Sequence, residues 1–213
     1  MTSSHLYAPS PIPLRTRIRL TYYGFINRHT ELPGPDGPDE DSLRGQVQNE
    51  MEIYESGAGR LVYELPSDWV LGKGRYVVKL VRSKKKEGFD DPGLLQNWRE
   101  ILLSRYPPMQ GHVVPVVDSG ENGFWLVMPY AEQYGLDWDH DVIDEKVGEI
   151  KAMDGVTPVA RGAFTGSFDV NWTENWGAYN GGYRLLDYGG IAITTSIPQY
   201  DNELEFFDPS DRP

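Results

Sequence analysis

The stretch Arg75-Tyr-Val-Val-Lys79-Leu-Val81 places one lysine inside a run of apolar and β-branched residues. Such a run predicts a central β-strand, and a lysine on it is costly to bury unless an anion meets its ammonium group. Glu100 lies on a predicted helix further along the chain and is an available partner. The alternative is that Lys79 ends the strand with its ammonium group in water and that Glu100 is simply exposed.

Further strands and helices are predicted on both sides of Lys79 from apolar periodicity and from Gly and Pro punctuation. Three strands, a helix and two more strands come first, and a second helix and a loop-rich last third follow. The predicted strands are residues 52–55, 60–65, 75–81, 113–118 and 123–128, then short ones at 183–186 and 191–194. The predicted helices are residues 93–105 and 139–153. This order indicates an α+β fold.

The first 47 residues are predicted to be an N-terminal extension. Residues 1–14 combine serine with proline and show no period, so we expect a flexible arm. Residues 15–28 alternate in places and suit an edge strand or a segment that binds a partner. Residues 32–43 are punctuated by Pro and Gly and are predicted to be a loop.

A glycine-containing turn precedes Lys79, in Glu55-Ser-Gly57-Ala-Gly59-Arg60-Leu-Val62-Tyr63. Small residues such as Gly57 would let backbone amides approach a phosphate, and Val62 on the following strand would press on a flat base. The alternative is an ordinary tight turn within a hairpin.

The run Leu185-Leu-Asp187-Tyr-Gly189 predicts an apolar strand that ends in a carboxylate. Mg²⁺ favours carboxylate oxygens beside substrate phosphates, and an aspartate at a strand end would supply one rigidly. Asn175, upstream in the chain, would offer a second oxygen. The alternative is an Asp-Tyr-Gly turn that caps a hairpin.

Taken together, these motifs resemble the protein-kinase-like superfamily over about residues 53–191. The glycine-containing turn resembles the glycine-rich loop, although Glu55 and Arg60 stand where the family has its first and third glycines. Lys79 matches the strand lysine that holds the α- and β-phosphates of ATP, and Glu100 matches its helix partner.

The resemblance also implies a nucleotide and metal site. The segment Leu126-Val-Met-Pro-Tyr-Ala131 resembles the gatekeeper and hinge, whose backbone binds adenine in the family. Asp187-Tyr-Gly resembles the metal-binding Asp-Phe-Gly element, and Asn175 resembles the catalytic-loop asparagine. The implied cofactors are therefore ATP and Mg²⁺, with the metal at Asn175 and Asp187. The implied cofactor-binding residues are Gly57, Val62, Lys79, Met128, Tyr130 and Ala131.

The fold that the resemblance implies is protein-kinase-like, with a five-stranded antiparallel N-lobe sheet, one helix and a much reduced C-lobe. Residues 48–131 would form the N-lobe. Residues 132–213 would form the reduced C-lobe, with the catalytic-loop-like and Asp-Tyr-Gly segments and an acidic tail. Within the superfamily the motifs resemble small uncharacterised kinase-like proteins of viruses and prokaryotes.

The sequence departs from the family at the catalytic base. The family has an aspartate at the position that Val170 occupies in this chain. Asp169 lies one residue earlier and would serve as the base if the backbone bulged by one residue. After Gly189 the sequence has 24 residues, 190–213. Because a protein kinase needs a longer activation segment and helical subdomain to bind a peptide, we do not expect protein phosphorylation.

Three functions are compatible with these motifs. The first is a minimal ATP-dependent phosphotransferase in which Lys79 and Glu100 hold ATP, Asp169 is the base and the acceptor is unknown. The second is a pseudokinase that binds nucleotide, or nothing, and serves as an interaction module. The third is a structural protein, for instance of a virion, that reuses the fold and binds neighbouring proteins through residues 1–45 and the acidic tail.

Composition limits the class of partner. With 20 basic and 32 acidic residues, the chain has a formal charge of −12, whereas nucleic-acid binding over a broad surface needs a basic face. A salt-loving host would favour such acidity, and ordinary solubility explains it equally well. The absence of cysteine excludes disulfides and thiolate chemistry.

The sequence also contains no apolar run long enough to cross a bilayer, and its polar N-terminus does not resemble a signal peptide. We therefore expect a cytoplasmic protein, or a virion protein if the source is viral. Neither a membrane nor a nucleic acid is expected as its partner.

Overall fold

The computed structural model describes residues 10–29, 43–56, 59–82, 92–133, 140–158 and 169–193. These residues form an α+β structure, as the order of the predicted elements indicates. The predicted helices at 93–105 and 139–153 are confirmed. The α-helices of the described part are Leu14–His29 (α1), Leu43–Glu50 (α2), Pro92–Arg105 (α3) and His140–Lys151 (α4).

A five-stranded antiparallel sheet forms the first half of the fold, which confirms the sheet predicted from the sequence. Its strands are Ile53–Ser56 (β1), Arg60–Glu64 (β2), Tyr76–Val81 (β3), Asp118–Ser119 (β4) and Trp125–Pro129 (β5), in the order β1-β2-β3-β5-β4. The fourth strand is shorter than the predicted residues 113–118. The reason is that Val113 forms a bridge with Leu185, outside this sheet, and the Val114 amide donates to the Leu185 carbonyl.

Side chains of the central strands alternate between two faces of this sheet. Val62 on β2 lies directly opposite Lys79 on β3, so both belong to the same face, which we call the inner face. The other, outer face is apolar and buried. It contributes Leu61, Tyr63, Val78, Leu80, Trp125 and Val127 to one hydrophobic core.

Helix α1 packs on the outer face, so the edge strand expected for residues 15–28 is wrong. Thr16, Leu20, Tyr23 and Ile26 are buried at helical spacing. The alternation that suggested a strand arises because the opposite side of α1 is also apolar, and this hides the helical period in the sequence.

Polar contacts fix α1 on the sheet. The Thr16 hydroxyl donates to the Trp69 carbonyl at 2.7 Å, and Arg17 Nε donates to Asp118 Oδ2 at 2.7 Å. Helix α1 lies within residues 1–47, which the sequence predicts to be an extension, and it forms one of the two layers that enclose the sheet.

The flexible arm predicted for residues 1–14 is wrong for the part that the structure describes. The Ser10 hydroxyl donates to Asp118 Oδ2 at 2.7 Å, and Ile12 is buried in the core beneath α1. Residues 1–9 lie outside the described residues, as does the predicted loop of residues 32–43 apart from Leu43, which begins α2.

The inner face, α3 and the second half of the chain enclose a second hydrophobic core. Helix α4 contributes Ile143 and Ile150 to it. Five short strands complete the described fold: Glu132–Gln133 (β6), Val156–Pro158 (β7), Trp176–Tyr179 (β8), Gly182–Leu185 (β9) and Ile191–Ile193 (β10). Strands β6, β8 and β9 form one small sheet, and β7 pairs with β10. Predicted strands 183–186 and 191–194 correspond to β9 and β10.

None of the helices in the described part of the chain has both the length and the apolarity that crossing a bilayer requires.

Candidate functional site

Lys79 and Glu100 form the buried ion pair that the sequence predicts. Lys79 Nζ lies 3.0 Å from Glu100 Oε1 and 2.9 Å from Oε2. Because the two residues are 5% and 0% exposed, the alternative of a solvated lysine and an exposed glutamate is wrong. Lys79 Nζ also donates to the Leu186 carbonyl at 2.7 Å. Three acceptor atoms thus face the three donors of the ammonium group.

Arg60 supplies a second buried cation to the same site. It is 4% exposed, and its Nη1 lies 2.9 Å from Glu100 Oε1. Its Nη2 donates to Asp187 Oδ1 at 2.6 Å, and Nη1 donates to Asn97 Oδ1 at 3.4 Å. Two cations and two carboxylates therefore balance one another. We call Arg60, Lys79, Glu100 and Asp187 the charge cluster.

Asp187 is positioned by the buried tyrosine that follows it. The Tyr188 hydroxyl donates to the Val114 carbonyl at 2.8 Å, and the Tyr188 amide donates to Glu100 Oε1 at 3.2 Å. With Tyr188 fixed in the second core, the Asp187 carboxylate is held against Arg60. The Asp187 side chain is 41% exposed, so the charge cluster has one edge in water.

The charges of the cluster shift the pKa values of its members. Burial by itself would raise the pKa of Asp187, but the nearby Arg60 and Lys79 outweigh it and hold that pKa well below its usual range. Burial raises the pKa of Glu100, and Arg60 and Lys79 oppose the rise. Burial disfavours charge on Arg60 too, yet Asp187 and Glu100 raise its pKa further. Asp187 and Arg60 therefore stay ionised as a pair at neutral pH.

An apolar cleft lies beside the charge cluster. It is partly open to solvent. Val62 and Val77 line it from the sheet, and Val114 and Leu186 line it from the second half of the chain. Among the described residues that line the cleft, Lys79 is the charged one. The others are Tyr54, Met128, Pro129, Tyr130 and Ala131.

The predicted cofactor-binding residues are thus brought together at this cleft, with one exception. Val62, Lys79, Met128, Tyr130 and Ala131 all line it, whereas Gly57 lies outside the described residues. Their binding of a nucleotide stays a prediction, and the cleft is the place where it would occur.

The hinge-like segment offers few backbone donors to a base. Pro129 has no amide hydrogen, and the Tyr130 amide already donates to the Arg75 carbonyl at 2.9 Å. The guanidinium of Arg75 lies 3.7 Å from the centre of the Tyr130 ring, and Tyr54 meets the same ring edge to face at 5.8 Å. Aromatic and aliphatic surface therefore dominates what this cleft presents to a ligand.

The end of the glycine-containing turn lies against the first turn of α3. A Cβ atom on Gly93 would overlap the Gly59 carbonyl oxygen, and one on Gly59 would come within 2.9 Å of the Gly93 amide nitrogen. The two glycines thus allow a close backbone approach that places Arg60, the next residue after Gly59, beside α3 and Glu100.

The predicted metal residues and the predicted catalytic base remain to be located. The Asn175 carbonyl accepts from the amides of Leu186, at 2.6 Å, and Asp187, at 3.4 Å, so the predicted metal residues are neighbours in the fold. The backbone of Asp169 lies in a short helical turn, and its side chain is outside the described part. Val170, at the base position of the family, is 1% exposed and belongs to the second core.

Sequence reasoning missed Arg60 as a site residue, although a signal was present. Arg60 and Val62 are two positions apart on one strand, and such residues share a face. Since Val62 was expected to face the base, Arg60 had to lie on the same face of the sheet, beside the cleft. Asn97 and Leu186 were also missed, because their contacts arise only when distant segments meet.

No protein-family model matches the chain, and no curated protein matches it. Among solved structures, the chain is similar to WbdD, in a co-crystal structure with the kinase inhibitor LY294002, at a TM-score of 0.43 and 16% sequence identity. The similarity covers 71% of this chain and 35% of WbdD, so the chain spans about a third of the length of that protein. A likeness of this size assigns no family, and the α+β fold with its five-stranded sheet is compatible with a kinase-like fold.

Proposed function

We propose that this chain is a kinase-like binding protein that takes the base of ATP, or of a related nucleotide, into the apolar cleft without needing Mg²⁺. The observation that carries this proposal is the Arg60–Asp187 ion pair next to the Lys79–Glu100 pair. Asp187, which the kinase resemblance assigns to the metal, is paired here with Arg60, and Lys79, which it assigns to phosphate, is paired with Glu100.

The cleft favours a flat, largely apolar ligand. Val62 and Val77 on the sheet side and Leu186 on the other side form two apolar walls that face each other across the cleft. Tyr54 and Tyr130 add aromatic surface at its rim. A purine ring would gain burial and stacking here, and few hydrogen bonds from the hinge-like segment would direct it.

The phosphates of a nucleotide would contribute little while the charge cluster is closed. The ammonium group of Lys79 has its three donors directed at Glu100 and at the Leu186 carbonyl. A phosphate would have to displace Glu100 or the Leu186 carbonyl from the ammonium group, and the displaced acceptor would lose this donor, which is costly. We therefore expect adenosine, ADP and ATP to bind with similar affinity.

Mg²⁺ does not fit the site as it is arranged. Asp187 Oδ1 already has a guanidinium at 2.6 Å, so Arg60 takes the carboxylate that Mg²⁺ would need beside substrate phosphates. In this proposal Arg60 supplies the positive charge that the resemblance assigns to Mg²⁺. Binding of Mg²⁺ at Asp187 and Asn175 would require Arg60 to leave.

A second candidate is the Mg²⁺-dependent phosphotransferase. The 41% exposure of the Asp187 side chain favours it, because a cation from solvent would have a route to this carboxylate. It differs from the first candidate in requiring an opening of the charge cluster and in using Asp169 as the base.

Calorimetry with adenosine, ADP and ATP, each in EDTA and again in Mg²⁺, tests the proposal. We expect similar affinities for the three ligands in both buffers and loss of binding in Val62→Phe, which fills the cleft. Lys79→Met should change adenosine affinity no more than Lys73→Met does. Lys73 is the matched control because it is exposed, in the segment before β3.

Other results would favour the other functions. ATP binding that is far tighter than adenosine binding, that requires Mg²⁺ and that is lost in Lys79→Met would support the phosphotransferase. Asp169→Asn should then abolish turnover and spare ATP affinity. Absence of binding by any of the three ligands to the folded wild type would contradict both candidates and leave the structural protein and the pseudokinase that binds no nucleotide.

A further inference from the structure

The outer side of α1 carries a row of exposed apolar side chains that nothing in the described part of the structure covers. Leu14, Ile18, Tyr22 and Phe25 are 71%, 62%, 49% and 54% exposed. Their positions along α1 differ by three or four residues, so they lie on one side of the helix. We call these four residues the α1 stripe.

The opposite side of the same helix is already used by the core. Leu20, Tyr23 and Ile26 are 0%, 4% and 3% exposed beneath α1. A helix that is apolar on both sides normally lies between two layers. A row of large exposed apolar residues that includes two aromatic rings is typical of an interaction site.

Positive charge borders the α1 stripe. Helix α1 contains four arginines and neither aspartate nor glutamate, in a chain with a formal charge of −12. Arg15 and Arg19 each follow a stripe residue directly and are exposed. Arg19 lies 3.6 Å from Glu50 in an exposed pair, which a second carboxylate could join at little cost. The ligand that suits this surface combines apolar side chains with carboxylates.

We propose that the α1 stripe is the docking site for residues 201–211 of the same chain, Asp-Asn-Glu-Leu-Glu-Phe-Phe-Asp-Pro-Ser-Asp. These residues lie outside the described part of the structure. Their sequence interleaves Leu204, Phe206 and Phe207 with five acidic residues. This is the complement, in both apolarity and charge, of the surface that α1 presents.

The length of the chain allows this docking. Ile193 is the last described residue. Its strand β10 packs on α3, on the side of the inner face of the sheet, whereas α1 covers the outer face. From Ile193 to Phe207 an extended chain reaches about 46 Å. Helix α3, the sheet and α1 are layers of roughly 10 Å each, so the stack is about 30 Å thick, and the remaining roughly 16 Å of reach allows the tail to pass around an edge of the sheet. The tether would keep the tail at an effective concentration in the millimolar range.

Paramagnetic relaxation in NMR tests the proposal without reference to nucleotide binding. The chain contains no cysteine, so Asn202→Cys gives a single site for a spin label next to the docking residues. We expect the amide signals of α1 to lose intensity, compared with the same protein carrying a diamagnetic label. The double variant Phe206→Ala/Phe207→Ala should restore them. The double variant Ile18→Ser/Tyr22→Ser changes exposed residues of the α1 stripe and not the core. It should restore the amide signals of the other α1 residues as well.

Two results would overturn the proposal. The first is unchanged α1 signals in the labelled wild type. The second is an equal loss of α1 signal intensity in a mixture of two kinds of chain, one isotope-labelled without a spin label and the other spin-labelled without isotope. That result would assign the α1 stripe to contact with a second copy, because only intermolecular effects are visible in such a mixture.

Discussion

Arg60 Nη2 lies 2.6 Å from Asp187 Oδ1, although 127 positions separate the two residues along the chain. Arg60 belongs to the strand that also carries Val62, so one strand both lines the apolar cleft and neutralises the carboxylate beside it. The same guanidinium reaches Glu100 at 2.9 Å. A single side chain thus joins the sheet, α3 and the segment after β9.

The first prediction concerns the removal of Arg60. Arg60→Met keeps most of the volume and leaves Asp187 without its cation and Glu100 with Lys79 alone. We expect a loss of about 3 kcal/mol in the free energy of unfolding, the lower end for breaking a buried pair, since Lys79 remains and Asp187 is partly exposed. We also expect Mg²⁺ to raise the melting temperature of this variant and to leave that of the wild type unchanged.

Urea unfolding and thermal melts with and without Mg²⁺ measure both effects. The control is Arg75→Met, which removes the pair of Arg75 with Glu64 and its contact with the Tyr130 ring at the surface and should cost about 1 kcal/mol or less. Equal stabilisation of the wild type by Mg²⁺ would show that Arg60 does not occupy the place of a metal ion.

The second prediction concerns the contact between Gly59 and Gly93. In Gly93→Ala the new methyl group would overlap the Gly59 carbonyl, so either the turn or α3 must shift. We expect a loss of about 1–3 kcal/mol in the free energy of unfolding, as for other overpacked sites.

The control for this prediction is Gly148→Ala on α4, where a Cβ atom would meet nothing within 4 Å. That change should stabilise the protein by about 0.4–1 kcal/mol, because alanine reduces the freedom of the unfolded chain. Urea unfolding of the two variants side by side gives the comparison. Equal behaviour of the two would mean that the Gly59–Gly93 approach is not required.

The third prediction concerns α1 as part of the folded core. Leu20→Ala should cost about 2–5 kcal/mol in the free energy of unfolding, as expected for a fully buried leucine, and Leu80→Ala on the sheet should cost a similar amount. Leu71→Ala, at a residue that is 59% exposed, should change stability by less than about 0.5 kcal/mol. If Leu20→Ala behaved like Leu71→Ala in urea unfolding, α1 would not belong to the core.

The fourth prediction concerns pH. Burial lowers the pKa of His112 below its ordinary value, and Glu149, 3.6 Å away, opposes this shift. Below about pH 6.5 the unfolded chain therefore takes up a proton at His112 that the folded chain resists. Stability should fall as pH drops from that point toward the folded pKa, and above that point this contribution should be constant.

An NMR titration of the His112 ring gives its folded pKa directly. Urea midpoints give the contribution of His112 to the pH dependence of stability. They are measured for the wild type and for His112→Gln between pH 7.5 and 5.5, roughly one unit either side of the unfolded pKa. The variant should show a smaller fall, and an unchanged slope would assign the pH dependence to other groups.

The sheet and the Lys79–Glu100 pair were predictable because their signals are local. An apolar, β-branched run marks β3 on its own, and the cost of burying a lysine demands an acidic partner. Helix α3 shows its period within a few residues, so Glu100 could be placed as well.

Helix α1 and Arg60 were not assigned correctly because their environments arise from tertiary structure. The apolar period of α1 is hidden by its second apolar side, and only packing on the sheet distinguishes the two sides. An arginine in a sequence normally suggests a surface residue, and the burial of Arg60 depends on Asp187, which comes from the other half of the chain.

The position of α1 on the outer face of the sheet has a practical consequence for recombinant work on this chain. A fragment that starts at residue 48 would keep every predicted cleft residue and would bare the outer-face side chains of the sheet. Apolar patches of that kind promote aggregation. Such a fragment should collect in inclusion bodies when overexpressed, so the segment that resembles a dispensable arm is a solubility determinant of this chain.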